Sequence, residues 1–169
     1  MKKFLTLTVL IFLLIFGSSS FSQEKAPFDS TLPDKISAVF DWTFEDPKDT
    51  SMATNFISNF IKAYDEFNPM GEYKIAVVSH GADVLIFAKS NYEKYKDIVD
   101  RLKSMTKSYG IKIYVCRNTL RFFGIKEEDV QPFVTIVPAG VVQLAKLQQE
   151  GYKLVPSVVH DLNKAKNQK

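Results

Sequence analysis

The chain has 169 residues, 22 of them basic and 19 acidic, and it contains one cysteine. This length allows one domain with a substantial buried core, and a single cysteine excludes a disulfide bond within the chain. Two of the basic residues lie among the first 22, so the remainder carries 20 basic against 19 acidic residues. That balance gives no reason to expect nucleic acid as a partner.

The amino terminus has the pattern of a secretion signal. Two lysines precede an apolar stretch at residues 4–16, and Ser20-Phe21-Ser22 offers a small-x-small cleavage site. The apolar stretch is shorter than the roughly 20 residues that a spanning helix needs. We therefore predict a signal peptide over residues 1–22, cleaved after Ser22, with no stable membrane span afterwards and a periplasmic or secreted product. An uncleaved amino-terminal anchor is the alternative.

The rest of the chain divides by composition into an arm, a domain and a tail. The arm at residues 23–35 is polar and contains two prolines, the domain covers residues 36–156, and a polar, lysine-rich tail covers residues 157–169. Apolar runs bounded by turn residues predict five strands. These strands cover residues 35–40, 73–79, 111–115, 133–137 and 152–155.

Helices are predicted between these strands, from apolar residues at 3.6-residue spacing. They cover residues 50–67, 92–109, 117–123 and 139–151. Asp49 or Thr50 is placed to cap the first helix, and Gly110 ends the second. Residues 82–88 are apolar, but periodicity does not distinguish helix from strand there. Strands alternating with helices predict a single α/β domain, with a mainly parallel five-stranded sheet, helices on both faces and the layering of flavodoxin-like and Rossmann-like folds.

Ligands of such sheets bind outside the carboxyl ends of the strands. Cys116 follows the third predicted strand and precedes a helix, while His80 follows the second strand. A thiolate at a helix start faces unpaired backbone N–H groups and the positive end of the helix dipole, which would activate it as a nucleophile. The alternative is a small buried apolar residue, a common role of free cysteine.

His80 is a candidate to pair with the thiolate of Cys116 or to take its proton. Its alternative role is a hydrogen bond to the backbone of its own turn. These two residues would also be two ligands of a soft metal, but two are too few to predict a metal site, and we expect neither metal nor cofactor. Asp83 has no evident partner in the sequence and is expected at the surface.

Further residues on the same rim are candidates to contact a ligand: Arg117, Asn118, Gly81, Gly140 and Trp42. Arg117 adjoins the thiol and would stabilise its anion, although its side chain is free to point away. The two glycines most simply serve turns, since neither belongs to a dinucleotide-binding or phosphate-loop motif. Trp42 would either line a pocket or pack in the core, and packing is the more common role of such a residue.

Four short motifs resemble those of the DsrE/DsrF-like family. They are AVVSHGA at residues 76–82, VCRNTL at residues 115–120, and VPAG at residues 137–140 followed by QQEGY at residues 148–152. The resemblance covers residues 36–156 and implies the small α/β fold of sulfur-relay subunits, which assemble as trimers or hexamers. It also implies that Cys116 matches the cysteine that carries a persulfide, and that His80 shapes the site. Characterised relay proteins are cytoplasmic, so the predicted export signal departs from the family pattern.

Three functional hypotheses follow. In the first, the exported protein is a sulfurtransferase or sulfur carrier: Cys116 attacks a sulfur donor, holds a persulfide and passes the sulfur to an acceptor protein or small thiol. In the second, the protein is a non-catalytic module for a small ligand or for homo-oligomer contacts, and Cys116 is structural. In the third, Cys116 is a redox-sensing thiol that needs a second cysteine from a partner or from another copy of the chain.

Overall fold

The computed structural model describes residues 24–160, so the predicted signal peptide and the last nine residues of the tail lie outside the described part. Contacts divide the chain between Ser30 and Thr31 into two units. The described residues of the first unit, 24–30, contain no helix or strand. Everything below concerns the second unit.

The second unit is built on one sheet of five parallel strands, as predicted. The strands are β1 (Lys35–Trp42), β2 (Glu72–Ser79), β3 (Lys112–Cys116), β4 (Thr135–Val137) and β5 (Lys153–Pro156). The helices are α1 (Asp49–Phe67), α2 (Tyr92–Tyr109), α3 (Arg117–Phe122) and α4 (Gly140–Gln149). Short 3₁₀ helices cover Ala82–Phe87, Lys89–Asn91 and Glu127–Asp129. The apolar stretch whose structure the sequence left open is thus a 3₁₀ helix.

The strand order is β4-β3-β2-β1-β5, which means that the chain crosses the sheet in one direction and then returns. Parallel crossover connections are almost always right-handed. The three connections from β1 to β4 therefore place α1, α2 and α3 on one face, and the return from β4 to β5 places α4 on the other. Helices lie on both faces, as the sequence predicted.

Each face has its own core. The main core joins the inward side chains of α1, α2 and the 3₁₀ segment after β2 to alternate strand residues such as Phe40 and Val77. The second core is smaller and joins α4 to the opposite sides of β1 and β2: Val39, Ala76, Val78, Leu144 and Leu147. Because β2 is covered on both sides, it reads as a nearly continuous apolar run.

Two local predictions differ from the structure. Helix α1 begins at Asp49, so neither Asp49 nor Thr50 caps it; Lys48 occupies the cap position, and its N–H donates to the exposed carboxylate of Asp46 at 2.9 Å. Strand β4 begins at Thr135, two residues later than predicted, because Phe133 turns inward and packs edge-on against Phe87.

Candidate functional site

Cys116 lies where β3 ends and α3 begins. Its backbone is extended, with φ −71° and ψ 115°, and it occupies the cap position of the helix that starts at Arg117. The residue is only 5% exposed, and its thiol is free. Strand β3 thus delivers the sulfur to the carboxyl rim of the sheet, as the sequence predicted, but beneath the surface rather than on it.

Hydrogen bonds around the sulfur favour its ionised form. Burial alone would raise the pKa of Cys116, but this effect is outweighed by the Thr119 hydroxyl and by the backbone N–H groups of Thr119, Gly140 and Asn118, and the pKa is lowered. Two of these N–H groups come from the first turn of α3, and the third comes from the start of α4. The thiolate is therefore held between two helix amino termini from opposite faces of the sheet.

The hydroxyl of Thr119 has a second acceptor. It lies 3.1 Å from the backbone carbonyl oxygen of His80 and also faces the sulfur of Cys116. A hydroxyl has one proton to donate and can rotate to choose its acceptor. We infer that it donates to the carbonyl while the thiol is neutral, and to the sulfur once the thiolate has formed.

His80 forms an ion pair with Asp41, the last residue but one of β1. Its Nε2 lies 2.7 Å from Asp41 Oδ1, and both side chains are largely shielded from solvent, at 16% and 28% exposed. The hydrogen bond to Asp41 raises the pKa of His80, burial opposes this, and the negative charges of Asp41, Asp83 and Cys116 raise it further. His80 is therefore more basic than an ordinary histidine.

Gly140 gives the His80 side chain its place against α4. A Cβ atom at Gly140 would lie 2.5 Å from His80 Cβ and 2.8 Å from His80 Cγ, far inside contact distance. The absence of a side chain at this position therefore lets the first turn of α4 approach both the imidazole and the thiol. The sequence suggests only a turn residue at this position, whereas the backbone of Gly140 contacts both the imidazole and the thiol.

Asp83 holds the turn that follows β2, and the prediction that it lies at the surface is wrong. The carboxylate is fully buried and accepts hydrogen bonds from the N–H of Phe44 at 3.0 Å, from the N–H of Gly81 at 3.1 Å and from the hydroxyl of Ser79. Burial raises the pKa of Asp83 to about 6, although these hydrogen bonds oppose the shift. These contacts could not be predicted from side-chain pattern, because two of the three partners are backbone N–H groups.

Gly81 is also required by close packing in this turn. A Cβ atom there would lie 2.6 Å from Asp83 Oδ1 and 2.6 Å from the carbonyl carbon of Thr43. Gly81 thus lets the ends of β1 and β2 approach each other and holds His80 in position. The structure thus gives Gly81 a role in shaping the site.

The remaining candidates are placed differently. Arg117 is partly exposed, and its Nη1 lies 3.9 Å from a carboxylate oxygen of Glu127. The side chain of Asn118 is exposed, while its backbone N–H faces the thiol. Trp42 is fully buried in the main core, its ring 6.0 Å from that of Phe44, so it packs and does not line an open crevice.

Asp41 is the member of the site that sequence reasoning missed. It ends a strand beside the one that carries His80, and alternation places the two side chains on the same face of the sheet. The alternation of side chains could be read from the sequence, but it points to a contact between Asp41 and His80 only when β1 is known to lie next to β2.

Two further observations concern metal binding and membrane spans. Within residues 24–160, no group of three or more His, Cys, Asp and Glu side chains is arranged to hold a metal ion. Across the same residues, no helix has the length and apolar character that a membrane crossing requires.

Comparison with known proteins identifies a family, a relative and a structural neighbour. A family model described as the DsrE/DsrF-like family matches residues 37–156. An uncharacterized protein of Aquifex aeolicus (strain VF5) is 29% identical over 126 residues, which are 72% of this chain and 56% of that protein. The chain thus spans little more than half the length of this relative. A solved structure, of a protein of unknown function from Methanobacterium thermoautotrophicum, has a TM-score of 0.55 at 23% identity and covers 72% of this chain and 98% of its own; it shows the shared fold.

Replacing Asp83 by Asn should flatten the dependence of stability on pH. Because the pKa of Asp83 is raised from 3.8 to about 6 in the folded state, its contribution to stability is full below pH 4 and is lost as pH rises towards 6. Asn preserves acceptors for the two backbone N–H groups but does not titrate. Urea unfolding at pH 4, 5, 6 and 7 measures this. The exposed Asp46→Asn variant should keep the wild-type slope, and parallel profiles for wild type and Asp83→Asn would contradict the assignment.

Replacing Gly140 by Ala should destabilise the protein and disturb His80. The added Cβ overlaps the imidazole, and relief of such overpacking costs about 1–3 kcal/mol. Denaturant unfolding gives the free energy, and NMR gives the chemical shifts of the His80 ring. Gly110→Ala is the matched control, because Gly110 has φ +66° and open space around it. That variant should lose about 1 kcal/mol through backbone strain while the His80 signals stay in place.

Proposed function

The chain belongs to the DsrE/DsrF-like family, as its motifs predicted, and we propose that it carries sulfane sulfur as a persulfide on Cys116. One observation carries the proposal: the thiol is buried, yet its pKa is lowered because hydrogen bonds converge on the sulfur. Burial of an inert cysteine in apolar surroundings shifts its pKa in the opposite direction. The site therefore supports a thiolate, which is the form that reacts with sulfur donors.

The loading step is a displacement at sulfur. The Cys116 thiolate attacks the outer sulfur of a donor persulfide, RS–SH, a new S–S bond forms, and the donor S–S bond breaks. The donor leaves as RS⁻ with the electron pair, and Cys116 holds –S–SH. In the transfer step an acceptor thiolate attacks the outer sulfur, becomes the persulfide itself and releases Cys116 as a thiolate. Neither step requires an external oxidant or reductant.

Each residue of the site has a separate role in these two steps. The N–H groups of Asn118, Thr119 and Gly140 stabilise Cys116 both as the attacking and as the leaving thiolate. His80, whose pKa is raised by its hydrogen bond to Asp41, can supply a proton to the Cys116 sulfur. Arg117 adds positive charge at the start of α3, where its interaction with Glu127 is long.

The surface beside the thiol supports exchange with a partner. Val141 and Val142 follow Gly140 in the first turn of α4 and are 63% and 64% exposed. Exposed apolar side chains of this kind favour protein contacts. We propose that the partner is an exported sulfur donor or acceptor with its own thiol and that the protein works outside the cytoplasm as a homo-oligomer. The leader pattern and the family resemblance support these two expectations.

A structural role for Cys116 is the second candidate function, and its 5% exposure favours it. In that case the fold serves as a non-catalytic binding or assembly module, and the hydrogen bonds to sulfur simply satisfy backbone groups at two helix starts. The two candidates make opposite predictions about the chemistry of the thiol.

Intact-protein mass spectrometry separates these candidates. Incubation with polysulfide should add one sulfur, about 32 Da, to wild type, dithiothreitol should remove it, and Cys116→Ser should show no gain, because only a reactive thiolate accepts sulfur. Circular dichroism checks that the variant folds. Absence of any gain in wild type, together with a thiol that resists alkylation until the protein unfolds, would establish the structural role instead.

Replacing Thr119 by Val should raise the pKa of Cys116, because the hydroxyl that stabilises the thiolate is lost. The higher pKa lowers the rate of alkylation by iodoacetamide about threefold to tenfold wherever the thiol is mostly neutral. The control is Thr106→Val, which removes an exposed hydroxyl that donates to the carbonyl of Lys103 at 2.8 Å. Equal rates for both variants and wild type would show that the Thr119 hydroxyl does not act on the sulfur.

A further inference from the structure

The three central strands bring a carboxylate, an imidazole and a thiol together on one face of the sheet, near its carboxyl rim. Asp41 pairs with Val78 across β1 and β2, and Ser79 pairs with Val115 across β2 and β3. Extending the second register by one residue sets His80 beside Cys116. Since side chains alternate along a strand, Asp41, His80 and Cys116 all face α4. His80 therefore lies between the carboxylate of β1 and the thiol of β3.

Contacts on two sides restrict the orientation of the imidazole. Nε2 is engaged by Asp41 Oδ1 at 2.7 Å, so this nitrogen carries a proton and donates it towards β1. The backbone of Gly140 lies against Cβ, Cγ and Cδ2 of His80, where an added Cβ would approach to between 2.5 and 3.2 Å. The titrating proton of the ring is then the one on Nδ1.

We propose that Asp41 is the positioning residue of the site: its carboxylate fixes the orientation of His80 and holds it protonated, so that a cation stands beside the Cys116 sulfur. The role in sulfur transfer rests on the proposed function, whereas the effect on the thiol does not. In the transfer step the acceptor takes the outer sulfur, and the cation stabilises Cys116 as it departs as a thiolate. In the resting protein it lowers the energy of the thiolate relative to the thiol.

The charged groups around His80 agree with this arrangement. Asp41 faces it from β1, Asp83 from the turn after β2 and Cys116 from β3, while α4 presents the uncharged backbone of Gly140. All three titratable neighbours are acidic and raise the pKa of His80, with the hydrogen bond to Asp41 the largest contribution. Interaction between two titrating groups is reciprocal, so a cation on His80 also favours the Cys116 thiolate, beside the larger effect of the hydrogen bonds to the sulfur.

The test is a double-mutant cycle of Asp41→Asn and His80→Gln, read by the pH profile of Cys116 alkylation with iodoacetamide. Asp41→Asn should lower the pKa of His80 and raise that of Cys116, which slows alkylation about threefold to tenfold where the thiol is mostly neutral. In the His80→Gln background, Asp41→Asn should have no further effect, because Asp41 acts through the imidazole. Asp41→Glu, which keeps the charge, should restore part of the rate.

NMR titration of the imidazole supplies the second readout. The chain has two histidines, His80 and His160, so a His160→Gln variant assigns the signals. An unchanged His80 pKa in folded Asp41→Asn would overturn the proposal, as would an equal effect of Asp41→Asn with and without His80. If Asp41→Asn fails to fold, Asp41→Glu and His80→Gln still give the comparison.

These readouts are independent of sulfur loading. If the His80 and Cys116 titrations are coupled but the protein never gains 32 Da from polysulfide, the role of Asp41 stands and the proposed function fails. If the protein gains sulfur but the pKa of His80 is the same in wild type and Asp41→Asn, the proposed function stands and the role of Asp41 fails. The two proposals therefore fail separately.

Discussion

The reversal of direction between β4 and β5 is the constraint on which the site depends. Right-handed crossovers send the first three connections to one face of the sheet, and the return connection must then lie on the other. The consequence is that α3 and α4 begin on opposite faces but at the same rim. Their first turns converge on Cys116, which receives N–H groups from both. A sheet that continued in one direction would present the thiol to one helix start alone.

Near that thiol lie two titratable groups whose surroundings shift their pKa values. The pKa values of Asp83 and His80 are both raised, one by burial and the other by a hydrogen bond to Asp41. Both shifts have the same sign for stability: each contribution is full at pH below the unfolded pKa and is lost as pH rises through the folded pKa. Near neutral pH, ionisation of the buried Asp83 carboxylate therefore lowers the free energy of unfolding. The same carboxylate joins the end of β1 to the turn after β2, and that turn carries His80.

The sequence predicted the sheet, the helices and the rim because these follow from local pattern. Apolar runs and 3.6-residue spacing located the elements, and the rule about carboxyl ends located Cys116 and His80. The order of the strands could not be predicted from local pattern. The contact between Asp41 and His80 could not be predicted either, because it depends on β1 lying next to β2. Asp83 was misplaced for a different reason. A carboxylate bound mainly by backbone N–H groups has no complementary side chain in the sequence, so its burial becomes visible only when the turn closes around it.

Burial of the thiol also limits the chemistry that the proposed function can use. At 5% exposure, the sulfur of Cys116 can be reached by a small sulfane-sulfur donor such as a short polysulfide more readily than by a folded donor. An acceptor protein would have to insert its own thiol between the first turns of α3 and α4. The exposed valines of α4 lie beside that entrance, and Gly140 leaves the backbone there without a side chain. Selection in this site would therefore begin with size and charge, because a small anionic sulfur species suits the backbone N–H groups that converge on Cys116 better than a bulky neutral disulfide does.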